Sequence, residues 1–168
     1  RLSNNDIKSF QTNGSDFIAH PIMNTDLGIE SSNGSLGQGL SMGVGIALSY
    51  KKRKKKGNIY ILVGDGECYE GLVWEAAITS AQCNLNNLVA VIDANGYQND
   101  GSIGNKMKYK DLKNKWKGFG WHTVSCNGHN FEELENALKT RKKNKPIAVI
   151  AKTIKGNGIS FMEKNNDW

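Results

Sequence analysis

Several features that mark secreted, membrane-bound or metal-stapled proteins are scarce or absent in this sequence. Cysteine occurs only three times, at scattered positions and without a CxxC motif, as Cys68, Cys83 and Cys126. Neither a disulfide framework nor a zinc site is therefore expected. No apolar run approaches the roughly eighteen residues that span a bilayer, and the chain does not open on a basic-then-apolar leader. These absences favour a cytoplasmic protein without a membrane partner, whose cysteines are small buried side chains.

The net charge of the chain is compatible with more than one class of ligand. Its 22 basic and 16 acidic side chains give a net charge of +6 over 168 residues, which suits phosphorylated ligands and nucleic acid alike. Much of the excess comes from one basic run at residues 51–56. Because this run directly precedes Gly57 at the end of a helical pattern, we interpret it as a solvated helix end that Gly57 stops. No nucleic-acid partner is therefore expected.

Two apolar runs are each followed by a polar side chain. Residues 59–63 are typical of a strand buried on both faces, and Gly-Asp-Gly at 64–66 follows where that strand must end. A second run, at residues 88–92, precedes Asn95. If the two strands are parallel neighbours, Asp65 and Asn95 meet at the carboxyl edge of one sheet. Their oxygens there suit a hard cation such as Mg²⁺, although Gly-Asp-Gly alone is also common in ordinary tight turns.

The other patterns predict an α/β protein. Strand-like runs alternate with helical ones, which predicts a doubly wound, mainly parallel sheet with helices on both faces. The helix that begins near Leu36 contains four glycines between residues 37 and 45. Because glycine is unfavourable inside a helix, this composition indicates close backbone approach to another element. Residues 146–151 predict a further buried strand, and Lys155 and two glycines follow it, which fits an anion site at the same edge.

Together these motifs resemble the N-terminal, diphosphate-binding part of the transketolases. Gly-Asp-Gly followed by Asn thirty residues after Asp65 is the thiamine diphosphate signature. Further segments resemble the family in the family's order: residues 35–41, Glu70-Gly71 with 74–76, residues 116–121 and residues 151–156. The resemblance covers the chain from Leu2 to Trp168. It implies the thiamine-diphosphate-binding fold, incomplete at both ends, with residues 1–168 as one diphosphate-binding domain and a fragment of a longer protein.

The resemblance implies thiamine diphosphate and Mg²⁺ as cofactors. The metal would be held by the side chains of Asp65 and Asn95 and by the backbone carbonyl of Tyr97. The cofactor itself would lie against residues of the same motifs: Gly34, Leu36, Gly64, Asp65, Gly66, Glu67, Asn95 and Lys155. Gly66 has no Cβ, so backbone N–H groups could approach the phosphates. Residues 98–109, polar and glycine-containing, would form a loop over the cofactor.

The resemblance assigns catalytic roles to His20 and Glu70. His20 stands where the family has a histidine that reaches the hydroxyl groups of the substrate, although Ala19 replaces the usual glycine. Glu70 would belong to a carboxylate network that links two active sites; taken alone, it is a favourable charge at a helix start. The implied reaction transfers a two-carbon ketol unit from a ketose phosphate to an aldose phosphate.

The resemblance also implies a partner. In this family the catalytic glutamate comes from the pyrimidine-binding domain of the opposite subunit, which this chain does not contain. We therefore expect a pyrimidine-binding domain or a C-terminal transketolase subunit, in a homodimer or a heterotetramer. The source is either a split transketolase or a fused enzyme cut into parts. The helix predicted at residues 70–83 is apolar around most of its circumference, so one side, with Trp74 or Ile78, is expected to reach the partner.

Two other functions are compatible with part of this pattern. A related thiamine diphosphate enzyme, such as 1-deoxy-D-xylulose-5-phosphate synthase, shares Gly-Asp-Gly and Asn but differs around residues 70–75, where this sequence is more similar to the transketolases. A non-catalytic interaction module would be favoured if Asp65 or Asn95 were lost. Both residues are present.

Overall fold

The protein consists of two compact units, Arg1–Leu36 and Gly37–Trp168. The computed structural model describes residues 2–98, 101–103 and 111–167. Most of the loop predicted at residues 98–109 lies outside the described residues. The assignment of residues 1–168 to one domain stays a prediction.

The first unit contains little regular structure. Helix α1 (Asn4–Lys8) begins with a capping box, in which the Ser3 hydroxyl accepts a hydrogen bond from the Asp6 N–H and the Asp6 carboxylate accepts one from the Ser3 N–H. A short 3₁₀ turn follows at Thr25–Leu27. No side chain among the described residues 2–36 is buried, so this unit has no hydrophobic core of its own.

The second unit is built on a four-stranded sheet whose strands are all parallel. In order across the sheet, the strands are β1 (Ile59–Gly64), β2 (Leu88–Ala94), β6 (Ile147–Lys152) and β5 (His122–Asn127). Gly64 on β1 pairs with Asp93 on β2. The carboxyl ends of these two strands therefore lie side by side, as the apolar runs predicted. A small antiparallel pair, β3 (Tyr97–Gln98) and β4 (Gly101–Ser102), follows β2.

Helices cover both faces of this sheet. On one face, α2 (Gln38–Lys52), α3 (Gly71–Gln82) and α4 (Leu112–Gly118) share a hydrophobic cluster with β1 and β2. On the other face, α5 (Phe131–Lys139) packs on β5 and β6. Residues of β2 belong to both clusters, as expected for a central strand buried on both faces. The predicted α/β fold with a mainly parallel sheet is confirmed. None of the helices in the described ranges has the length and apolar character needed to cross a bilayer.

The basic run at residues 51–56 closes helix α2, but Gly57 does not end the helix, so that prediction was wrong. Instead, Lys54 adopts the left-handed backbone conformation, with φ of 53°. The Lys55 N–H donates to the Tyr50 carbonyl at 2.9 Å. A left-handed residue bracketed by this hydrogen bond is a Schellman motif, in which glycine is the usual residue. A lysine takes the position here, at a cost in backbone strain that glycine would not have.

Helix α3 is apolar around most of its circumference, but its sides have different surroundings. Trp74 stacks on Phe119, with ring centroids 4.9 Å apart, and its indole N–H donates to the Cys68 carbonyl at 2.9 Å. The end of α4 thus covers part of this side of the helix, while Trp74 remains partly exposed, and a partner contact at Trp74 stays a prediction. Leu72 and Ile78 are exposed over 43% and 48% of their surfaces, and a partner contact at these residues stays a prediction.

Candidate functional site

Asp65 lies just beyond the carboxyl end of β1 and is only 4% exposed. Its Oδ1 accepts a hydrogen bond from the Gly66 N–H at 2.9 Å, and its Oδ2 accepts one from the Gly96 N–H at 2.7 Å. Burial raises the pKa of Asp65 above its ordinary value, the two backbone hydrogen bonds oppose this rise, and the negative charge of Asp93 adds to it. Among the described residues, the only ion pair joins two side chains of α5. The Asp65 carboxylate is thus a buried negative charge without a cationic partner in that part of the chain.

The turn after β2 brings Asn95 and Tyr97 to the same edge of the sheet. The Gly96 N–H that donates to Asp65 belongs to the residue that directly follows Asn95. The Asn95 Oδ1 accepts a hydrogen bond from the Tyr97 N–H at 2.8 Å, and its Nδ2 donates to the Asp93 Oδ2 at 3.0 Å. The two sequence motifs therefore meet, and the orientation of the Asn95 amide is fixed from both ends.

Two residues of the Gly-Asp-Gly-Glu segment, Gly66 and Glu67, have structural roles that the sequence did not predict. A Cβ at Gly66 would lie 2.8 Å from the Cβ of Gln98, so the approach of β3 alone requires glycine here. The Glu67 carboxylate accepts hydrogen bonds from the Gly64 N–H at 3.0 Å and from the Gly37 N–H at 2.7 Å. It thereby joins the end of β1 to the start of α2. Contacts of Gly64, Gly66 and Glu67 with a cofactor stay predictions.

Glu70 precedes α3 and is exposed. Its side chain makes no capping hydrogen bond to the helix. It packs tightly against Gly37, where an added Cβ would lie 2.8 Å from the Glu70 Cβ. The Cβ and Cγ of Glu70 therefore lie beside the start of α2, next to the Gly37 backbone that Glu67 holds.

Lys155 begins a compact loop after β6. Its ammonium donates to the Asn165 carbonyl at 2.9 Å, and its own carbonyl accepts a hydrogen bond from the Lys164 N–H at 3.0 Å. A Cβ at Gly156 would lie 2.4 Å from the carbonyl oxygen of Met162, so the loop can close only with glycine there. An ammonium carries three N–H donors. The bond to Asn165 thus leaves Lys155 with donors for an anion, as its predicted role requires.

A cavity of about 600 Å³ opens at this edge of the sheet. Asn95 and Lys155 both line it, together with Asp93 and Thr153, whereas Asp65 does not. Its apolar lining includes Leu62, which is 73% exposed on β1. The volume lies within the range of small-molecule sites, roughly 300–1,000 Å³. The structure therefore brings two of the predicted cofactor residues together in one cavity.

The remaining predicted residues belong to the first unit. Gly34 has φ of 143°, and a Cβ there would lie 2.9 Å from the Cδ2 of His20. The imidazole thus packs on the Gly34 backbone, which explains the glycine without reference to a ligand. The loop between His20 and Gly34 is closed by a hydrogen bond, in which the Asn33 N–H donates to the Pro21 carbonyl at 3.0 Å. Leu36 is 56% exposed, and the roles of all three predicted residues stay predictions.

The sequence reasoning missed Asp93 and Thr153. The Thr153 hydroxyl donates to the Asp93 Oδ1, while the other oxygen of Asp93 accepts from Asn95. A usable signal was present: Asp93 is the first polar residue after the apolar run of β2, and it stands two positions before Asn95. His129 also lines the cavity, and its Nε2 accepts a hydrogen bond from the Ile154 N–H at 2.8 Å.

The residues at this edge fit a hard divalent cation. A carboxylate, an amide oxygen and a backbone carbonyl are ligands that Mg²⁺ accepts, with positions left for water and phosphate oxygens. A cation would also stabilise the ionised form of the buried Asp65, whose pKa is raised in its absence. Within the described ranges, no three or more His, Cys, Asp or Glu side chains form a metal-binding group. A Cys–His metal centre is therefore not supported there.

Comparison with known proteins shows that the chain matches a protein family over nearly its whole length. Residues 1–167 match the family described as "Transketolase, thiamine diphosphate binding domain". The chain is 39% identical over 163 residues to a subunit of the apulose-4-phosphate transketolase of Actinobacillus succinogenes, which is 96% of this chain and 59% of that protein. It is 40% identical over 147 residues to the 6-deoxy-6-sulfo-D-fructose transketolase subunit SqwG of a Clostridium species, which is 86% of this chain and 54% of that protein.

A solved structure agrees with these relatives. The transketolase of Campylobacter jejuni superposes with a TM-score of 0.91 and 32% sequence identity, over 99% of this chain and 27% of that one. The chain thus spans little more than half of the two curated relatives and about a quarter of the solved transketolase. The family match extends over nearly the whole chain, and the fold agrees with it. The chain belongs to the transketolase family, as a thiamine diphosphate-binding domain.

Proposed function

We propose that this chain supplies the diphosphate-binding half of an enzyme that transfers a two-carbon ketol unit from a ketose phosphate to an aldose phosphate, with thiamine diphosphate and Mg²⁺ as cofactors. The observation that carries the proposal is the buried Asp65 carboxylate. It lies 2.7 Å from the backbone nitrogen that follows Asn95, and the described residues give it no cationic partner. Thiamine diphosphate, when bound, supplies the nucleophilic carbon and takes up the negative charge that develops on the donor sugar.

The residues of this chain bind and orient the cofactor in this proposal. The oxygens of Asp65, Asn95 and Tyr97 hold Mg²⁺, which neutralises the diphosphate. Lys155 adds a positive charge at the cavity that it shares with Asn95. Because Asp65 is buried, where the effective dielectric constant is lower than in water, its charge acts more strongly on the cation than a surface carboxylate would.

Other groups complete the proposed reaction. His20 meets the hydroxyl groups of the donor sugar, Gly34 and Leu36 support the cofactor rings, and Glu70 joins a carboxylate network at the boundary between the two polypeptides. The glutamate that activates the cofactor comes from a pyrimidine-binding domain or a C-terminal subunit, in a homodimer or a heterotetramer. Two of the relatives are named as transketolase subunits, which supports a split enzyme with a separate partner chain.

A binding experiment tests the cofactor assignment. In calorimetry with thiamine diphosphate, we expect binding to require Mg²⁺ and to weaken at least about tenfold in Asp65→Asn, because the variant lacks the charge that faces the cation. Asp111→Asn is the matched control. Asp111 caps α4 by accepting the Asn114 N–H, and asparagine caps a helix equally well. Equal, metal-independent binding by the wild type and Asp65→Asn would disprove the assignment.

An activity experiment tests the reaction class. Co-expression with a candidate pyrimidine-binding partner should give ketol transfer that neither chain shows alone. The substrates should include common ketose and aldose phosphates together with apulose 4-phosphate and 6-deoxy-6-sulfo-D-fructose, which the names of the relatives suggest. A purified complex that binds the cofactor but transfers no ketol unit from any of these donors would reject the proposed reaction and retain the cofactor site.

A further inference from the structure

Asp93 lies between the two predicted metal ligands, although neither sequence motif includes it. It pairs with Gly64 on β1 and with Ala151 on β6, so it stands at the centre of the carboxyl edge. Its backbone carbonyl accepts a hydrogen bond from the Asp65 N–H at 3.1 Å. Its carboxylate faces the cavity that Asn95 also lines. The residue is thus linked to Asp65 through the backbone and to Asn95 through the side chain.

The hydrogen bond between Asp93 and Asn95 sets the orientation of the Asn95 side-chain amide. An ionised carboxylate only accepts hydrogen bonds, so the amide nitrogen must face it. The Asp93 Oδ2 accepts from the Asn95 Nδ2 at 3.0 Å. The Asn95 Oδ1 then lies at the opposite end, where it accepts the Tyr97 N–H at 2.8 Å. A carbonyl oxygen has two lone pairs, so one remains for a cation.

Asp93 is itself held by a second donor. The Thr153 hydroxyl donates to the Asp93 Oδ1, and Thr153 is closely packed, because a Cβ at Gly128 would lie 2.5 Å from its Cγ2. Both oxygens of Asp93 are therefore occupied by fixed donors from different elements, the turn after β2 and the end of β6. This arrangement gives the carboxylate little freedom to rotate away from Asn95.

We propose that Asp93 is a positioning residue for the divalent cation: held by Thr153, it orients the Asn95 amide so that Oδ1 faces the metal. The inference rests on the proposed function, since it concerns the metal site of that function. Replacing a group that orients a metal ligand typically weakens metal binding 10–100-fold. In Asp93→Asn, the new amide can present its NH₂ group to Asn95 and favour the reversed orientation.

Mn²⁺ binding provides a readout that does not depend on catalysis. Free Mn²⁺ is measured by electron paramagnetic resonance as Mn²⁺ is added to the folded chain, with and without a fixed concentration of thiamine diphosphate. We expect Asp93→Asn to weaken Mn²⁺ binding about 10–100-fold. Asp111→Asn, the same chemical change at a helix cap, should bind Mn²⁺ as the wild type does.

A pair of substitutions at Thr153 keeps the proposal testable if Asp93→Asn does not fold. Thr153→Val removes the hydroxyl that holds Asp93 and keeps the shape of the side chain, whereas Thr153→Ser keeps the hydroxyl. We expect weaker Mn²⁺ binding in the valine variant, by a smaller factor than in Asp93→Asn, and nearly wild-type binding in the serine variant. A merely structural role would lower thermal stability in these variants without changing Mn²⁺ affinity.

The outcomes separate this inference from the proposed function. If the wild type binds Mn²⁺ and Asp65→Asn does not, while Asp93→Asn and Thr153→Val bind like the wild type, Asp93 does not position the ligand and only this inference is wrong. If the wild type binds no Mn²⁺ under either condition, the metal site of the proposed function fails and this inference fails with it.

Discussion

Backbone conformation limits which side chains several positions of this protein can carry. At Gly34 and Gly156, a positive φ coincides with a neighbour that leaves no room for a Cβ. Lys54 shows the opposite case, since a lysine occupies the left-handed position that ends helix α2. A left-handed residue other than glycine, asparagine or aspartate carries a backbone strain of roughly 1 kcal/mol or more. The Schellman motif at the end of α2 is therefore less stable than its hydrogen bonding would allow.

Replacing Lys54 with glycine should raise the free energy of unfolding by about 1 kcal/mol, because glycine adopts the left-handed conformation without strain. Urea denaturation followed by circular dichroism measures the change. Lys56→Gly removes the same charge from the same basic run at a position without positive φ, and we expect it to be neutral or slightly destabilising. Equal effects of the two substitutions would show that charge, not backbone conformation, sets the stability of this helix end.

In helix α2, two glycines that look equivalent in the sequence, Gly43 and Gly45, have different surroundings in the structure. A Cβ at Gly43 would lie 2.6 Å from the Cγ1 of Ile61 on β1, whereas nothing lies within 4 Å of a Cβ at Gly45. The packing of α2 on β1 therefore explains Gly43 but not Gly45. The glycine at position 45 lowers the stability of the helix without a packing reason among the described residues.

The two glycines should respond to alanine with opposite signs. Gly43→Ala forces a methyl group into the contact with Ile61, and we expect a loss of about 1–3 kcal/mol. Gly45→Ala removes the cost of glycine in an exposed helix interior, and we expect a gain of up to about 1 kcal/mol. Chemical denaturation of both variants compares them directly. If Gly43→Ala were as stable as Gly45→Ala, the close packing of α2 on β1 would be wrong.

The predictable part of the site follows from local patterns, and the rest depends on contacts between distant segments. The apolar runs that precede Asp65 and Asn95 are visible in the sequence, and the parallel pairing of β1 with β2 brings the ends of these runs together. The hydrogen bond between Thr153 and Asp93 joins a residue of β2 to one that directly follows β6, 60 positions later in the chain. The stacking of Trp74 on Phe119 is likewise invisible in the sequence, since it depends on how α4 packs against α3. Periodicity gives the apolar character of a side chain but not the identity of its neighbour.

At the scale of the whole molecule, the two units differ in how they are stabilised. The unit Gly37–Trp168 has a hydrophobic cluster on each face of its sheet. The unit Arg1–Leu36 has no buried side chain in its described residues and exposes Ile7, Phe10 and Ile22 over more than half of their surfaces. The second unit also exposes apolar side chains on α2 and α3: Met42, Ile46, Leu72 and Ile78. We therefore expect the exposed apolar side chains of α2 and α3 to contact another polypeptide.

A charge at Ile78 should block assembly with the partner without unfolding this chain. Ile78 is 48% exposed, so Ile78→Lys should change the free energy of unfolding by no more than about 0.5 kcal/mol. Trp74→Lys is the contrasting variant, and we expect it to unfold the domain, because its ring packs against Trp116 and Phe119. Analytical ultracentrifugation with the co-expressed partner measures assembly. A folded Ile78→Lys chain that assembles like the wild type would show that the partner does not contact this side of α3.

The order of the strands has a consequence for synthesis of the chain on the ribosome. Strand β2 pairs with β1, which precedes it, and with β6, which is made much later. Until residues 147–152 have been made, one edge of β2 has no partner strand, although residues 88–92 are entirely apolar. Unpaired apolar edges invite aggregation, and pairing between distant strands is slow. The nascent chain must therefore keep this edge away from other chains until β6 inserts between β2 and β5.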